Sequence, residues 1–215
     1  MDNIISLAGN RCDKTAMGGK AYELCGLTAR GCRVPRGFVV TQQAFGSPAD
    51  MRIAVEKELA EFNCETFAVR SSGIREDGDS YSYAGQYDSF LFVGRKDVLD
   101  KIMLCRASAH SGRARAYSRH SAEPDDEVAV LVQEMIDADI SGVAFSSNPV
   151  TGDNNLVVIE AVAGTGDKLV QGTVTPSHYA VDKKIGKTEE EHGVLNKRNV
   201  EAVAKLVCDI ETLYN

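Results

Sequence analysis

The stretch from Phe67 to Val93, FAVRSSGIREDGDSYSYAGQYDSFLFV, constrains the fold of this chain more than any other. Two β-prone ends, Thr66–Val69 and Tyr87–Val93, flank a long polar segment. Between them lie Arg70, Ser71, Ser72, Gly73, Arg75 and Gly78, then Gly85 and Gln86, with Ser89 where the second end begins. Glycines let a main chain approach an anion closely. An arginine offers a planar fork to its oxygens, and hydroxyls with exposed N–H groups complete a cradle for a polyphosphate. The same residues also read as a surface hairpin loop whose charges are only solvated.

The totals narrow the choices. A chain of 215 residues can bury one good core or two small ones. Its 43% apolar and 26% charged residues are ordinary for a globular protein. A net charge of −7 argues against non-specific nucleic-acid binding, which wants a basic face. A compact polyphosphate needs only a local cluster of cations. No apolar run reaches membrane-spanning length, and MDNIISLAGN lacks the pattern of a signal peptide, so a cytoplasmic protein is expected. The six cysteines are scattered without a CxxC pair and read as reduced packing residues.

Residues 1–17 are weakly patterned. A helix is expected from Gly18 to a stop at Gly31, with Ala21, Leu24, Cys25 and Thr28 at helical spacing. Lys20 then sits in its first turn, where a cation adds to free N–H groups and the positive end of the helix dipole. An exposed, uninvolved lysine is the alternative. Phe38–Val40 reads as a buried strand with Thr41 capping the next helix, and Met51, Val55, Leu59 and Phe62 as the inner stripe of one helix. Val98, Leu99, Ile102, Cys105 and Ala109 mark another helix. The basic run Arg106, Arg113, Arg115 and Arg119, beside His110 and His120, reads as a solvated face because it lacks a glycine loop, with a second anion site as the alternative. SAEPDDE at 121–127 is a polar connector and a plausible boundary between lobes.

Val128–Val132 is a continuous apolar run and reads as a central strand leading into Gln133, Glu134 and Met135. Ser141–Phe145 and 154–162 read as further strands, the latter with Glu160 embedded. A carboxylate there must be paired or face a polar cleft, so Glu160 is a candidate for nucleotide or metal-water contact, with an internal salt bridge as rival. Thr173–Pro176 and Tyr179–Val181 suggest an antiparallel pair. Val200, Val203, Val207, Ile210 and Tyr214 give a last helix.

Four segments in order, 18–41, AVRSSGIREDGDSYSYAGQYDSFLFV, VLVQEMIDADISGVAFSSNPVTG and VVIEAVAGTGDKLVQGTVTPSHYAVD, resemble the ATP-binding domain of the phosphoenolpyruvate synthase and pyruvate phosphate dikinase family. The RSS triplet is more like the synthase branch. The resemblance implies an α+β (mixed α/β), two-lobed, ATP-grasp-like domain, with 1–127 as the first lobe and 128–215 as the second. It implies that Lys20 and Arg70 neutralise the ATP phosphates, that Ser71, Ser72, Gly85, Gln86 and Ser89 shape their cradle, and that Gln133, Glu134 and Met135 hold adenine. The family shows Gly-Leu-Gly-Glu more often where this chain has Gly164-Thr165-Gly166-Asp167, and a longer helical insert around residues 46–65. Its Mg²⁺-binding Asp-x-Glu segment follows soon after the point reached by Asn215, so no metal ligand is assigned within the chain and a truncated ATP-grasp is expected. The partners implied are ATP and the phosphohistidine and pyruvate-binding domains of a full-length enzyme. His178 does not correspond to the phosphorylated histidine. The ATP domain of a rifamycin-type antibiotic phosphotransferase and a non-catalytic nucleotide-binding module are the alternatives.

Overall fold

The computed structural model describes residues 3–9, 12–73, 89–109, 128–186, 188–190 and 193–214. The candidate residues Arg75, Gly78, Gly85 and Gln86 lie outside them, as do His110, Arg113, Arg115, Arg119, His120 and residues 121–127. The chain divides into two compact units, Met1–Ile136 and Asp137–Asn215. The sequence placed the division after residue 127. The strand that comes next belongs instead to the first sheet.

The first unit is built on five antiparallel strands in the order β1-β2-β5-β3-β4, with β1 Ile4–Ser6, β2 Gly37–Val40, β3 Thr66–Gly73, β4 Ser89–Gly94 and β5 Val128–Glu134. β5 is apolar from Val128 to Val132 because it is central and buried on both faces there. One face carries Phe38, Val40, Phe67, Val69, Val130 and Val132. It packs under α3 (Pro48–Ala60) and α4 (Val98–Ala109) through Met51, Val55, Leu59, Val98, Ile102 and Cys105. The other face carries Val39, Ala129 and Leu131 beneath α1 (Lys14–Met17) and α2 (Gly19–Ala29), which contribute Met17, Ala21 and Cys25. The helical stripes of α2, α3 and α4 therefore do what their spacing expects.

Two arginines close the C-terminal end of α3. Arg95 donates from Nη1 to the Leu59 carbonyl and from Nη2 to those of Phe62 (2.7 Å) and Cys64 (2.6 Å), with its guanidinium 5.6 Å from the Phe67 ring centroid. Arg36 lies 4.8 Å over Phe62 and donates to the Glu61 carbonyl. Carbonyls at a helix end lack partners within the helix, and these cations supply them.

The second unit is a four-stranded antiparallel sheet, β6-β7-β8-β9, formed by Ile140–Phe145, Leu156–Ala163, Ser177–Asp182 and Thr188–Glu190. After the short α5 (Asp167–Val170), the chain ends its described course in α6 (Lys197–Tyr214). Val200 and Ala204 of α6 pack on Val157, Ile159, Ala161, Tyr179 and Val181. The Tyr179 hydroxyl accepts from the Leu195 N–H at 2.8 Å, and Lys183 Nζ pairs with Glu211 at 2.7 Å, tying α6 to the sheet at two levels. In the turn before β7, Asp153 accepts from the Asn155 backbone N–H and side-chain amide, which hold its carboxyl below the usual range. A carboxyl depressed in the folded state adds stability above its unfolded pKa and loses it as pH falls through the folded value. Acid titration of Asp153→Asn against the parent should therefore show the variant's deficit at neutral pH shrinking below about pH 4.

Four sequence expectations are corrected. Residues 1–17 contain β1 and α1, elements too short to show a period. Thr41 sits before a 3-10 turn (Gln42–Gly46) but makes no side-chain cap. Its hydroxyl donates to the Asn3 carbonyl at 3.3 Å instead. Thr173–Pro176 is not a strand; β8 pairs with β7 and β9. The cysteines are not all reduced: Cys12 and Cys25 form a disulfide with Cα atoms 5.8 Å apart, while Cys32, Cys64, Cys105 and Cys208 are free thiols. Cys12 falls in the weakly patterned segment, so nothing in the spacing marked it as a neighbour of Cys25.

Candidate functional site

The start of the polar motif, Arg70 to Gly73, is a strand end. β3 continues through Arg70, Ser71, Ser72 and Gly73 because β5 supplies a partner for each: Leu131, Val130, Ala129 and Val128. Strand geometry then sorts the motif by face. Ala68, Arg70 and Ser72 share the face of Leu131 and Ala129, which is the face covered by α1 and α2. Ser71 shares the face of Phe67 and Val69. Its Oγ is buried without a hydrogen-bond partner among the described residues, an arrangement that costs about 1–3 kcal/mol.

The turn between α1 and α2 meets β3 at this point. Gly18 has φ +77° and ψ 169°, a conformation open only to glycine. A Cβ on it would stand 2.0 Å from the Ser72 carbonyl oxygen and 2.6 Å from Ser72 Oγ. This close approach lets Ser72 Oγ accept the N–H of Ala21 at 3.0 Å, so a strand hydroxyl satisfies a donor in the first turn of α2. In the same turn Lys20 Nζ donates to the Ser71 carbonyl at 3.0 Å. Lys20 and Ser71 are 51 residues apart in sequence, and the contact sets the ammonium beside the backbone of the residue that follows Arg70.

On the other side, Ser89 of β4 pairs directly with Arg70. Just beyond, β4 carries one residue more than β3 between the Val69–Phe90 and Phe67–Val93 pairs, and Phe92 has φ +53°. This bulge fixes which β4 residue faces Arg70. Gln133 of β5 pairs with Ala68 and Gly37, so it has the parity of Arg70 and Ser72. Its side chain is 5% exposed and its Nε2 donates to the Pro35 carbonyl at 3.1 Å. Glu134 Oε1 accepts the Arg36 N–H at 3.1 Å. The N–H groups of Glu134 and Met135 donate to the carbonyls of Arg36 and Thr66, at 2.9 and 3.0 Å. Residues 133–135 are thus pinned to the β2 and β3 ends, with the Met135 side chain half-buried. Burial and the Glu134 carboxylate push the nearby Cys64 thiol up, which keeps it protonated and a poor nucleophile at neutral pH.

In the second unit Glu160 lies opposite His178 on β8 and Val143 on β6. Its Oε1 is 4.0 Å from His178 Nδ1, and both side chains are at least a third exposed, so the pair is a weak, solvent-screened one. That unit also holds a cavity of about 340 Å³ between β6 and α6, lined by Gly142, Ala144, Ile159, Asn199 and Val203 among others. None of the described candidates lines it, and its mainly apolar wall suits no phosphate.

Sequence reasoning thus chose Lys20, Arg70, Ser72, Ser89 and Gln133, which the first unit gathers around one sheet face and the turn above it. It gave Ser72 no part in capping α2, and it missed the Cys12–Cys25 bridge. The glycine pair before Lys20 was a usable signal for the close approach at Gly18.

Residues 46–212 match the family described as pyruvate phosphate dikinase, AMP/ATP-binding domain. The prodigiosin synthesizing transferase PigC of Serratia marcescens is 36% identical over 87% of this chain and 24% of its own length. The uncharacterized phosphotransferase YvkC of Bacillus subtilis is 32% identical over 91% of this chain and 27% of its own length. The phosphoenolpyruvate synthase of Pyrococcus furiosus is 40% identical over 62% of this chain and 16% of its own length. The chain belongs to the pyruvate phosphate dikinase AMP/ATP-binding domain family. It spans about a quarter or less of the length of these relatives.

Proposed function

We propose that the first unit takes the phosphate chain of ATP at the turn between α1 and α2, against the end of β3, as the nucleotide domain of a phosphoenolpyruvate synthase-like phosphotransferase. One observation carries the reading: the Lys20 ammonium is seated at the Ser71 carbonyl, next along the strand from Arg70. Two cations at one strand end neutralise phosphate oxygens, Arg70 as a bidentate fork and Lys20 as a point charge. Ser89 beside Arg70 adds a hydroxyl. Ser71 acts through its carbonyl, and Ser72 by holding α2 in place. Gly85 and Gln86 would complete the cradle. Gln133, Glu134 and Met135 form a pinned edge for adenine, with the Met135 thioether as a polarisable wall. In the second unit Glu160 is the candidate for contact with nucleotide or a metal-bound water, in exchange for His178.

Mg²⁺ enters such sites with the phosphates and needs only one or two protein carboxylates. Among the described residues no group of three or more His, Cys, Asp or Glu is placed to hold a metal by itself, so the nucleotide phosphates would supply most of the ion's ligands. On this reading the chain is an ATP-grasp-type domain of a cytoplasmic enzyme, and its mixed α/β architecture with antiparallel sheets supports the fold part of it. Among the described residues no helix is long and apolar enough to cross a membrane. In the full-length reaction a histidine on another domain would take the terminal pair of phosphates from ATP, leaving AMP. Water would then release phosphate, and the remaining phosphoryl group would pass to pyruvate. A second reading keeps the ATP domain and changes the acceptor. It is favoured by the wider coverage of the chain by PigC and YvkC than by the phosphoenolpyruvate synthase.

Calorimetric titration of Mg-ATP into the chain and into Arg70→Ala tests the phosphate role. The variant should bind about tenfold or more weakly with an unchanged far-UV spectrum, a loss of about 1.4 kcal/mol or more. Equal affinity removes Arg70 from the site.

A further inference from the structure

We propose that the Cys12–Cys25 disulfide is a reducible latch on the helix that carries Lys20. The bridge closes a loop with a sequence separation of 13, and that loop contains α1, Gly18, Gly19 and Lys20. It ties the body of α2 to the segment before α1, while the start of α2 rests on Ser72 and Lys20 rests on Ser71. α1 is four residues long and has one buried side chain, Met17. Besides the bridge, the turn holding Lys20 is held by these two hydrogen bonds, by the close packing of Gly18 on Ser72 and by the small core around Ala21 and Leu131.

The two sulfurs differ in access. Cys25 is fully buried and Cys12 only partly. A dithiol reductant, as its thiolate, would therefore attack Cys12 Sγ. An S–S bond forms between reductant and Cys12, the Cys12–Cys25 bond breaks, and Cys25 leaves as a thiolate that takes a proton. The second thiol of the reductant then displaces Cys12, yielding two protein thiols and one oxidised reductant. The Gly9 carbonyl stands 3.8 Å from Cys25 Sγ, in place to accept a hydrogen bond from the new thiol. The opposite sheet face, packed on α3 and α4, contains neither cysteine, so the reduced unit keeps its larger core. Disulfides in reducing compartments are usually transient and regulatory, and this one sits where loosening would act on a single helix.

The consequence for nucleotide rests on the reading proposed above: the reduced chain holds Lys20 less firmly and binds Mg-ATP more weakly. The test uses the 215-residue chain with and without dithiothreitol. Alkylation after unfolding should modify four cysteines without reductant and six with it. Amide exchange across 14–29 should quicken by about tenfold on reduction, while α3 and α4 change little. Mg-ATP affinity should fall about three- to tenfold in the same step. Cys12→Ser with Cys25→Ser should match the reduced chain and ignore dithiothreitol. Six alkylated cysteines without reductant, or unchanged exchange over 14–29 after reduction, overturns the latch. Faster exchange of α2 with no ATP bound in either state leaves the latch standing and removes the nucleotide reading instead.

Discussion

Gly18→Ala is expected to destabilise the first unit by at least about 3 kcal/mol, the sum of a glycine-only conformation and a methyl group driven into backbone. The methyl would lie 2.0 Å from the Ser72 carbonyl oxygen, an atom fixed by strand pairing to β5 and unable to rotate away. The turn must then lift off β3, breaking the Ala21 to Ser72 and Lys20 to Ser71 hydrogen bonds together. Thermal unfolding followed by circular dichroism measures the loss. Hydrogen exchange locates it, with protection falling over residues 12–31 before the rest of the sheet. A variant as stable as the parent would show that the close approach at Gly18 is not fixed.

Arg95→Ala is expected to cost about 3–5 kcal/mol, the second large effect. Three carbonyls, of Leu59, Phe62 and Cys64, lose their charged donor at once, and the Phe67 ring loses a cation over its face. Arg95→Lys separates geometry from charge: one ammonium cannot reach three carbonyls placed for a forked guanidinium, so lysine should recover less than half of the loss. Denaturant melts of the three proteins give the comparison. Full recovery by lysine would mean that charge alone suffices.

Helices with a clear apolar stripe were legible from sequence. Met51, Val55 and Leu59 are buried on the core side of α3, Phe62 is buried just beyond its end, and α2 ends within two residues of Gly31. β5 was legible as a strand, but not its membership of the first sheet, since pairing depends on distant partners. The end of β3 was misjudged for the same reason. Arg-Ser-Ser-Gly is poor strand material alone, and becomes strand because Val128–Leu131 lies alongside. The candidate site was legible as residue types near one another in kind. Which of them face the same way was not, because that is decided by the parity of β3 and by the bulge in β4. The bridge between Cys12 and Cys25 was hidden by the short α1, which turns the chain back without leaving a periodic trace.

The two-faced alternation of β3 ties the proposed phosphate contacts to folding along eight residues. Deleting or inserting one residue between Phe67 and Ser72 would turn the guanidinium into the oily interior and push Val69 or Phe67 out under the lysine-bearing turn. A length change here would abolish the protein before it could retune its affinity, so adaptation of this segment must proceed by substitution alone.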